Sequence, residues 1–209
     1  QSELVSLLAS KSFFERKFAQ QQLISLQATN AKSSIEDIAL QSDNPYAQIH
    51  ALWTLEGLGV LEKTFWKKAS AVATAPIVHE TLIRFSSFFP KIEAEQLSYF
   101  EKIAILNHPL VNIQLAVRLG QMQSPKARQL LLKLAQKHGN NPVICEAIIS
   151  GLAGKETAFL QQIQGFENAD NLKKFLQVVL TNKATNAIQA PQLPKAFFKD
   201  DRTAGFDLY

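Results

Sequence analysis

The architecture of this chain is indicated by residues 44–59, which read Asn44-Pro45-Tyr46-Ala47-Gln48-Ile49-His50-Ala51-Leu52-Trp53-Thr54-Leu55-Glu56-Gly57-Leu58-Gly59. Pro45 suits the first position of a helix, where its missing N–H costs nothing and its fixed φ favours the helical turn. Asp43 or Asn44 is expected to cap the free N–H groups before it. Gly57 and Gly59 are expected to end the helix, because glycine adopts the left-handed C-cap conformation without strain. The stretch therefore predicts one helix with a defined start and end.

The apolar face of this helix recurs along the chain at a nearly constant interval. Four prolines, 31, 33 and 33 residues apart, each open a similar segment: Pro45, Pro76, Pro109 and Pro142. Apolar residues recur two, six, seven and ten positions after each proline, with Ser86 as the one exception, and this is the spacing of a buried helix face. An earlier copy without proline begins at Phe13. A period of this length is typical of helical repeat proteins.

Shorter amphipathic stretches alternate with these segments and predict the remaining helices. They cover residues 3–9, 34–41, 61–72, 92–106, 125–138, 156–164 and 169–182. Each helical pair has an apolar stripe too wide to bury alone, so neighbouring pairs must stack. No segment alternates polar and apolar residues over the length of a strand, and no Asn-Gly or Asp-Gly hairpin signal occurs. We therefore predict an all-α fold, a right-handed α-α superhelix of the HEAT or armadillo kind with about six helical pairs.

The composition defines the class of protein and its domain limits. Hydrophobic residues are 46% and charged residues 19%, as in ordinary soluble globular proteins. No apolar run approaches the roughly 18 residues that a membrane span needs. We expect a repeat domain over residues 1–183 and, over residues 184–209, an extended linker or C-terminal strap leading to a further domain. Residues 203–209 look like the opening of another helix.

No arrangement of residues predicts catalysis or a cofactor. Cys145 is the single cysteine, which excludes disulfides and multi-cysteine zinc sites within this chain. The four histidines are scattered without i, i+4 pairing, so no metal site is predicted. Nucleophile-elbow and P-loop motifs are absent. Gly57-Leu58-Gly59 does not follow a strand, so a dinucleotide-binding motif is not predicted either. We expect a non-enzymatic chain without cofactors.

One face of the proline-initiated helices is the candidate binding surface. In repeat solenoids such second helices usually line the concave side, which is the customary binding face. The candidate partner-binding residues on this face are Tyr46, His50, Trp53, Arg84, Gln114 and Arg118. An aromatic anchor with polar neighbours is typical of a recognition patch. A structural alternative stays open, in which Trp53 packs against a neighbouring helix, His50 bonds a loop carbonyl and Gly57 lets helices approach.

The pattern Pro-x-Val-x-x-x-Ala/Leu-x-x-x-Leu resembles HEAT repeats, although Arg16 alone matches their usual arginine three residues into the copy. Residues 50–59 are similar to a signature of the HEAT region in large bacterial membrane-associated dehydrogenase-like proteins. These carry a sugar-dehydrogenase-type propeller before the repeats and a c-type cytochrome domain after them. Residues 12–20 and 204–209 look like two further pieces of that region. The resemblance implies a spacer or docking module of an extracytoplasmic redox protein, whose partner is a neighbouring domain or a redox protein. We expect the chain to be a monomer.

Two other functions stay open at this point. The net charge is +4, with basic residues concentrated between positions 101 and 150. A nucleic-acid-binding HEAT protein would present Arg84, Arg118, Lys126 and Arg128 together in a concave groove, although such a partner is not favoured. Its binding would weaken steeply with salt. A lyase or glycosylase is supported by fold analogy alone, which is weak evidence for function.

Overall fold

The computed structural model describes residues 2–189, with side chains to residue 184. These residues form helices joined by short connections, without any strand. The all-α prediction is therefore confirmed for this part of the chain. Three short 3-10 segments, Thr29–Ala31, Ser86–Phe88 and Pro90–Ile92, join longer elements. The α-helices are α1 (Ser2–Leu8), α2 (Phe13–Ser25), α3 (Lys32–Gln41), α4 (Pro45–Gly57), α5 (Lys63–Val72), α6 (Pro76–Phe85), α7 (Glu93–Ala104), α8 (Pro109–Gln121), α9 (Pro125–His138), α10 (Pro142–Leu152), α11 (Glu156–Ile163) and α12 (Asp170–Gln189).

Helix α4 begins and ends for identifiable reasons. The Asn44 side chain accepts a hydrogen bond from the Tyr46 N–H at 3.0 Å, which satisfies one free donor of the first turn. At the other end the N–H of Gly59 donates to the carbonyl of Glu56, and that of Val60 to the carbonyl of Leu55. This pair of bonds is a Schellman motif, with Gly59 left-handed at φ +69°.

Gly57 does not end the helix as the sequence predicted. It is the last helical residue of α4, and Leu58 follows it as a right-handed C-cap. A Cβ at Gly57 would lie 2.5 Å from the Ile24 side chain on α2. Gly57 therefore allows α4 to approach α2 and leaves the helix stop to Gly59.

The expected apolar face is buried in all four proline-initiated helices. Its members at positions two and six after the proline are Ala47, Ala51, Val78, Leu82, Val111, Leu115, Ile144 and Ile148, each at most 3% exposed. The copy that begins at Phe13 buries Arg16, Ala19 and Leu23, which lie three, six and ten positions after Phe13. Two guanidinium bonds to the carbonyls of Ser10 and Lys11 allow Arg16 to be buried there.

The helices pack mainly against their neighbours in the chain. Each even-numbered helix from α2 to α10 contacts the next even-numbered one, and α1 contacts α3, α3 contacts α5, α7 contacts α9 and α9 contacts α11. Within the pairs, α1 packs on α2, α3 on α4, α5 on α6, α7 on α8, α9 on α10 and α11 on α12. Each even-numbered helix thus packs against the even-numbered helix that follows it, from α2 to α12.

The last helix extends into the segment that was expected to be a linker or strap. Helix α12 continues to Gln189, past the expected domain end at residue 183. The remaining part of the expected linker or strap, and the expected helix opening at 203–209, lie outside the described residues. Within those residues, no helix combines the length and apolar character needed to cross a bilayer.

Candidate functional site

The structure brings two of the predicted binding residues together with α2. Tyr46 is exposed, and the guanidinium of Arg16 lies 5.7 Å from the centre of its ring. His50, one turn later, places Nδ1 2.6 Å from Oε1 of Gln20 and its ring 5.9 Å from the ring of Phe13. The histidine therefore bonds a side chain on the preceding even-numbered helix, and the alternative of a loop carbonyl is wrong.

His50 is neutral at physiological pH. Burial lowers its pKa from 6.5 to about 4, and the positive charge of Arg16 acts in the same direction. An amide oxygen only accepts hydrogen bonds, so Nδ1 carries the ring proton in the bond to Gln20. His50 thus contributes a polar contact between α2 and α4 without adding charge to the surface.

Trp53 packs against a neighbouring helix, as in the structural alternative. Its ring meets that of Phe85 edge to face, with centroids 4.5 Å apart and planes at 82°. Such pairs contribute about 0.5–1.5 kcal/mol beyond the area they bury. Trp53 is partly buried against the core, so its main contact joins α4 to α6.

The two predicted arginines are both engaged with other side chains. Arg84 pairs with Glu80 one turn earlier on α6, at 2.7 Å. Arg118 is half-buried, and its Nε donates to Ser86 Oγ at 2.9 Å while Nη2 donates to Gln96 Oε1 at 3.3 Å. Burial lowers the pKa of Arg118, and the nearby Glu93 carboxylate opposes that effect. Arg118 therefore binds α8 to the connection between α6 and α7.

The two other cations considered for nucleic-acid binding also contact protein side chains. Lys126 pairs with Glu101 at 2.9 Å, and the guanidinium of Arg128 lies 5.4 Å from the centre of the Phe159 ring. Gln114 is half-buried on α8. Tyr46 and His50 thus lie against α2, whereas Trp53, the two arginines and the two further cations contact other side chains of the protein.

Sequence reasoning missed three exposed phenylalanines on α2. Phe14 is 79% exposed, and Phe13 and Phe18 are also exposed on α2. Phe13 and Phe14 meet edge to face at 5.7 Å, and Phe14 and Phe18 are one helical turn apart. The Phe13-Phe14 pair at the start of a helix was the signal in the sequence.

Phe14 and Tyr46 belong to a longer apolar series. The residue that follows the first position of α2, α4, α6, α8 and α10 is apolar in every copy: Phe14, Tyr46, Ile77, Leu110 and Val143. Ile77 is partly buried and the others are exposed. We call these five residues the first-turn row. The helices that carry the row pack against one another in sequence, from α2 to α10.

Metal-ligating side chains are dispersed in the part of the chain that the structure describes. No three His, Cys, Asp or Glu side chains converge there as metal ligands would. The Cys145 thiol is buried and donates to the Gly139 carbonyl, and burial raises its pKa to about 11. The thiol therefore stays protonated at neutral pH, which makes it a poor nucleophile.

Comparisons of this chain with known protein families, with curated proteins and with solved structures gave no match.

Proposed function

We propose that this chain is a non-catalytic scaffold, a right-handed superhelix of HEAT-like pairs that binds another protein along the first-turn row. The observation that carries this proposal is the row itself, since apolar side chains recur at one position of five consecutive even-numbered helices. Scattered exposed apolar residues are ordinary, whereas an ordered series points to a binding surface. The contacts between neighbouring helices support the superhelical arrangement.

The spacing of the row suggests the form of its partner. Packed helices lie about 8–10 Å apart, so successive members of the row are separated by a similar distance. A polyproline II segment has three residues per turn and advances about 9 Å per turn. Apolar side chains at every third residue of such a segment would meet successive members of the row. We propose an extended partner segment of this kind, with its strongest contacts at Phe14 and Tyr46.

The resemblance of residues 50–59 suggests where this segment belongs. We propose that it lies in a neighbouring domain of the same polypeptide or in a redox partner, within an extracytoplasmic protein. The chain would then act as a spacer that positions redox domains without holding a cofactor. The gene encoding this chain provides a direct check, because a Cys-x-x-Cys-His motif beside this region supports the redox setting and its absence opposes it.

The binding proposal is tested with a fluorescent peptide of repeated Leu-Pro-Pro units and fluorescence anisotropy. We expect saturable binding that weakens by about tenfold or more in the double variant Phe14→Ser/Tyr46→Ser, since aromatic anchors dominate such interfaces. The matched control is Ile105→Ser, which removes an apolar side chain that is 83% exposed outside the row.

A second peptide with the same numbers of leucine and proline residues in a scrambled order, without leucine at every third residue, tests the spacing. We expect it to bind at least several times more weakly than the first peptide. Equal affinity for both peptides, or an equal loss in the Phe14/Tyr46 and Ile105 variants, would contradict binding along the first-turn row.

A further inference from the structure

A cavity between α7, α8 and α9 has the features of a small-molecule site. Its volume is about 340 Å³, at the lower end of the range for ligand pockets. Five large apolar side chains line it: Phe100, Leu115, Leu119, Leu130 and Leu134. These walls suit an alkyl chain or another apolar body. The first-turn row includes none of these residues, so the cavity is a separate feature.

One wall holds a buried polar group whose hydrogen bonding is incomplete. Asn112 is 2% exposed, and its Oδ1 has no hydrogen-bond partner among the residues that the structure describes. The Nδ2 of the same amide lies 3.4 Å from Asn107 Oδ1 and 3.4 Å from His138 Nε2. Burial of the His138 ring lowers its pKa, and the charge on Lys137 adds to this effect. The neutral ring can accept from Nδ2, which leaves Oδ1 as an acceptor that needs a donor.

Positive charge lies beside this polar end. Lys133 and Lys137 both line the cavity from α9, one helical turn apart. Neither forms an ion pair with any residue between positions 2 and 184. Glu101 is the acidic residue of the lining, and its carboxylate is already paired with Lys126 at 2.9 Å. The cavity thus has apolar walls, an acceptor that lacks a donor, and two unpaired ammonium groups.

We propose that this cavity binds a hydroxylated medium-chain carboxylate. The alkyl chain lies among the leucines and Phe100, where apolar burial drives binding. The ligand hydroxyl donates to Asn112 Oδ1, and the carboxylate accepts charge-assisted hydrogen bonds from Lys133 and Lys137. Each chemical part of the ligand thus matches one feature of the lining.

Isothermal titration calorimetry with 3-hydroxydecanoate tests the proposal, with decanoate as the matched ligand that lacks the hydroxyl. On the wild-type chain we expect the hydroxy acid to bind about tenfold more tightly, because it alone satisfies Asn112. In Asn112→Leu this preference should disappear while decanoate binding changes little. If both acids bind the wild type equally, or if neither binds, the proposal is wrong.

Further variants separate the charge and the apolar walls. Lys133→Gln/Lys137→Gln should weaken both acids by about tenfold, whereas Lys68→Gln, an exposed lysine on α5, should leave them unchanged. Leu130→Trp should abolish binding by filling the cavity. Across hexanoate, octanoate and decanoate, each added methylene should strengthen binding by about fourfold until the cavity is full. Affinity that does not depend on chain length would place the ligand outside the cavity and overturn the proposal. Unchanged affinity in Leu130→Trp would do the same, provided that this variant keeps the thermal unfolding midpoint of the wild type.

Discussion

The environment of His50 lowers its pKa, and this makes the stability of the protein depend on pH. Its pKa is about 4 in the folded chain and near 6.5 when unfolded. Between these values the unfolded state binds more protons, so the free energy of unfolding falls as pH drops from about 6.5 to 4. Water still reaches part of the ring, so we expect this group to contribute about 1–2 kcal/mol over that window.

Urea denaturation at several pH values between 4 and 7 tests this prediction. The variant His50→Gln should lose less stability on acidification than the wild type, because glutamine does not titrate. A residual slope is expected from His79 and His138, whose pKa values burial also lowers. Identical pH dependence in wild type and variant would show that His50 is not the group responsible.

Tyr99 and His79 form a buried polar contact between α7 and α6. The Tyr99 hydroxyl lies 2.8 Å from His79 Nδ1, and both residues are at most 7% exposed. Burial lowers the pKa of His79 and raises that of Tyr99, so both groups are neutral and the hydroxyl donates. Tyr99→Phe leaves Nδ1 unsatisfied and should cost about 1–3 kcal/mol of unfolding free energy. The exposed Tyr46→Phe is the matched control, and equal stability of the two variants in urea would refute the assignment.

At the residue scale, the sequence predicted which side chains are buried better than it predicted which side chains they contact. The period that places Ala51 and Leu82 on a buried face follows from helix geometry, and both are fully buried. The contact of His50 with Gln20 joins residues thirty positions apart. No local pattern specifies it, because it depends on how α2 lies against α4.

Two glycines determine how closely α8 and α10 approach. A Cβ at Gly120 would lie 2.6 Å from the carbonyl carbon of Gly151, and a Cβ at Gly151 would lie 2.5 Å from the carbonyl oxygen of Val117. Backbone atoms cannot move aside as a flexible side chain does, so the helices must separate. Gly120→Ala and Gly151→Ala should each destabilise the protein by about 1–3 kcal/mol in urea denaturation.

Gly165→Ala is the control for this pair, since a Cβ there would meet nothing within 4 Å. We expect that variant to unfold like the wild type or slightly later. Destabilisation of all three variants by similar amounts would mean that glycine backbone freedom, and not the α8–α10 contact, is responsible. The sequence predicted both helices from their prolines and apolar spacing, but it gave no signal of this contact, which requires the relative placement of two helices.

At the scale of the whole molecule, spacing along the chain predicted the order of the helices and their all-α class. The candidate surface was predicted less well, because helix periodicity reports which side is apolar and not what each polar group meets. Arg118 lies nine positions after its proline, yet it is half-buried by bonds to Ser86 and Gln96. The cavity was not predicted because three helices line it, and its polar atoms come from separate elements.

The proposed stacking of helical pairs predicts how far along the chain the effect of a destabilising substitution extends. In a superhelix each pair is stabilised chiefly by its neighbours, whereas in a compact bundle every helix shares one core. Leu8 at one end and Phe159 near the other are both fully buried, and alanine there should cost about 2–5 kcal/mol. In hydrogen-exchange mass spectrometry we expect Leu8→Ala to accelerate exchange in α1 to α4, the helices packed around Leu8, and to leave α9 to α12 unchanged. Phe159→Ala should give the opposite pattern. A uniform increase across all helices in both variants would mean that the chain unfolds as one core, which contradicts the superhelical scaffold.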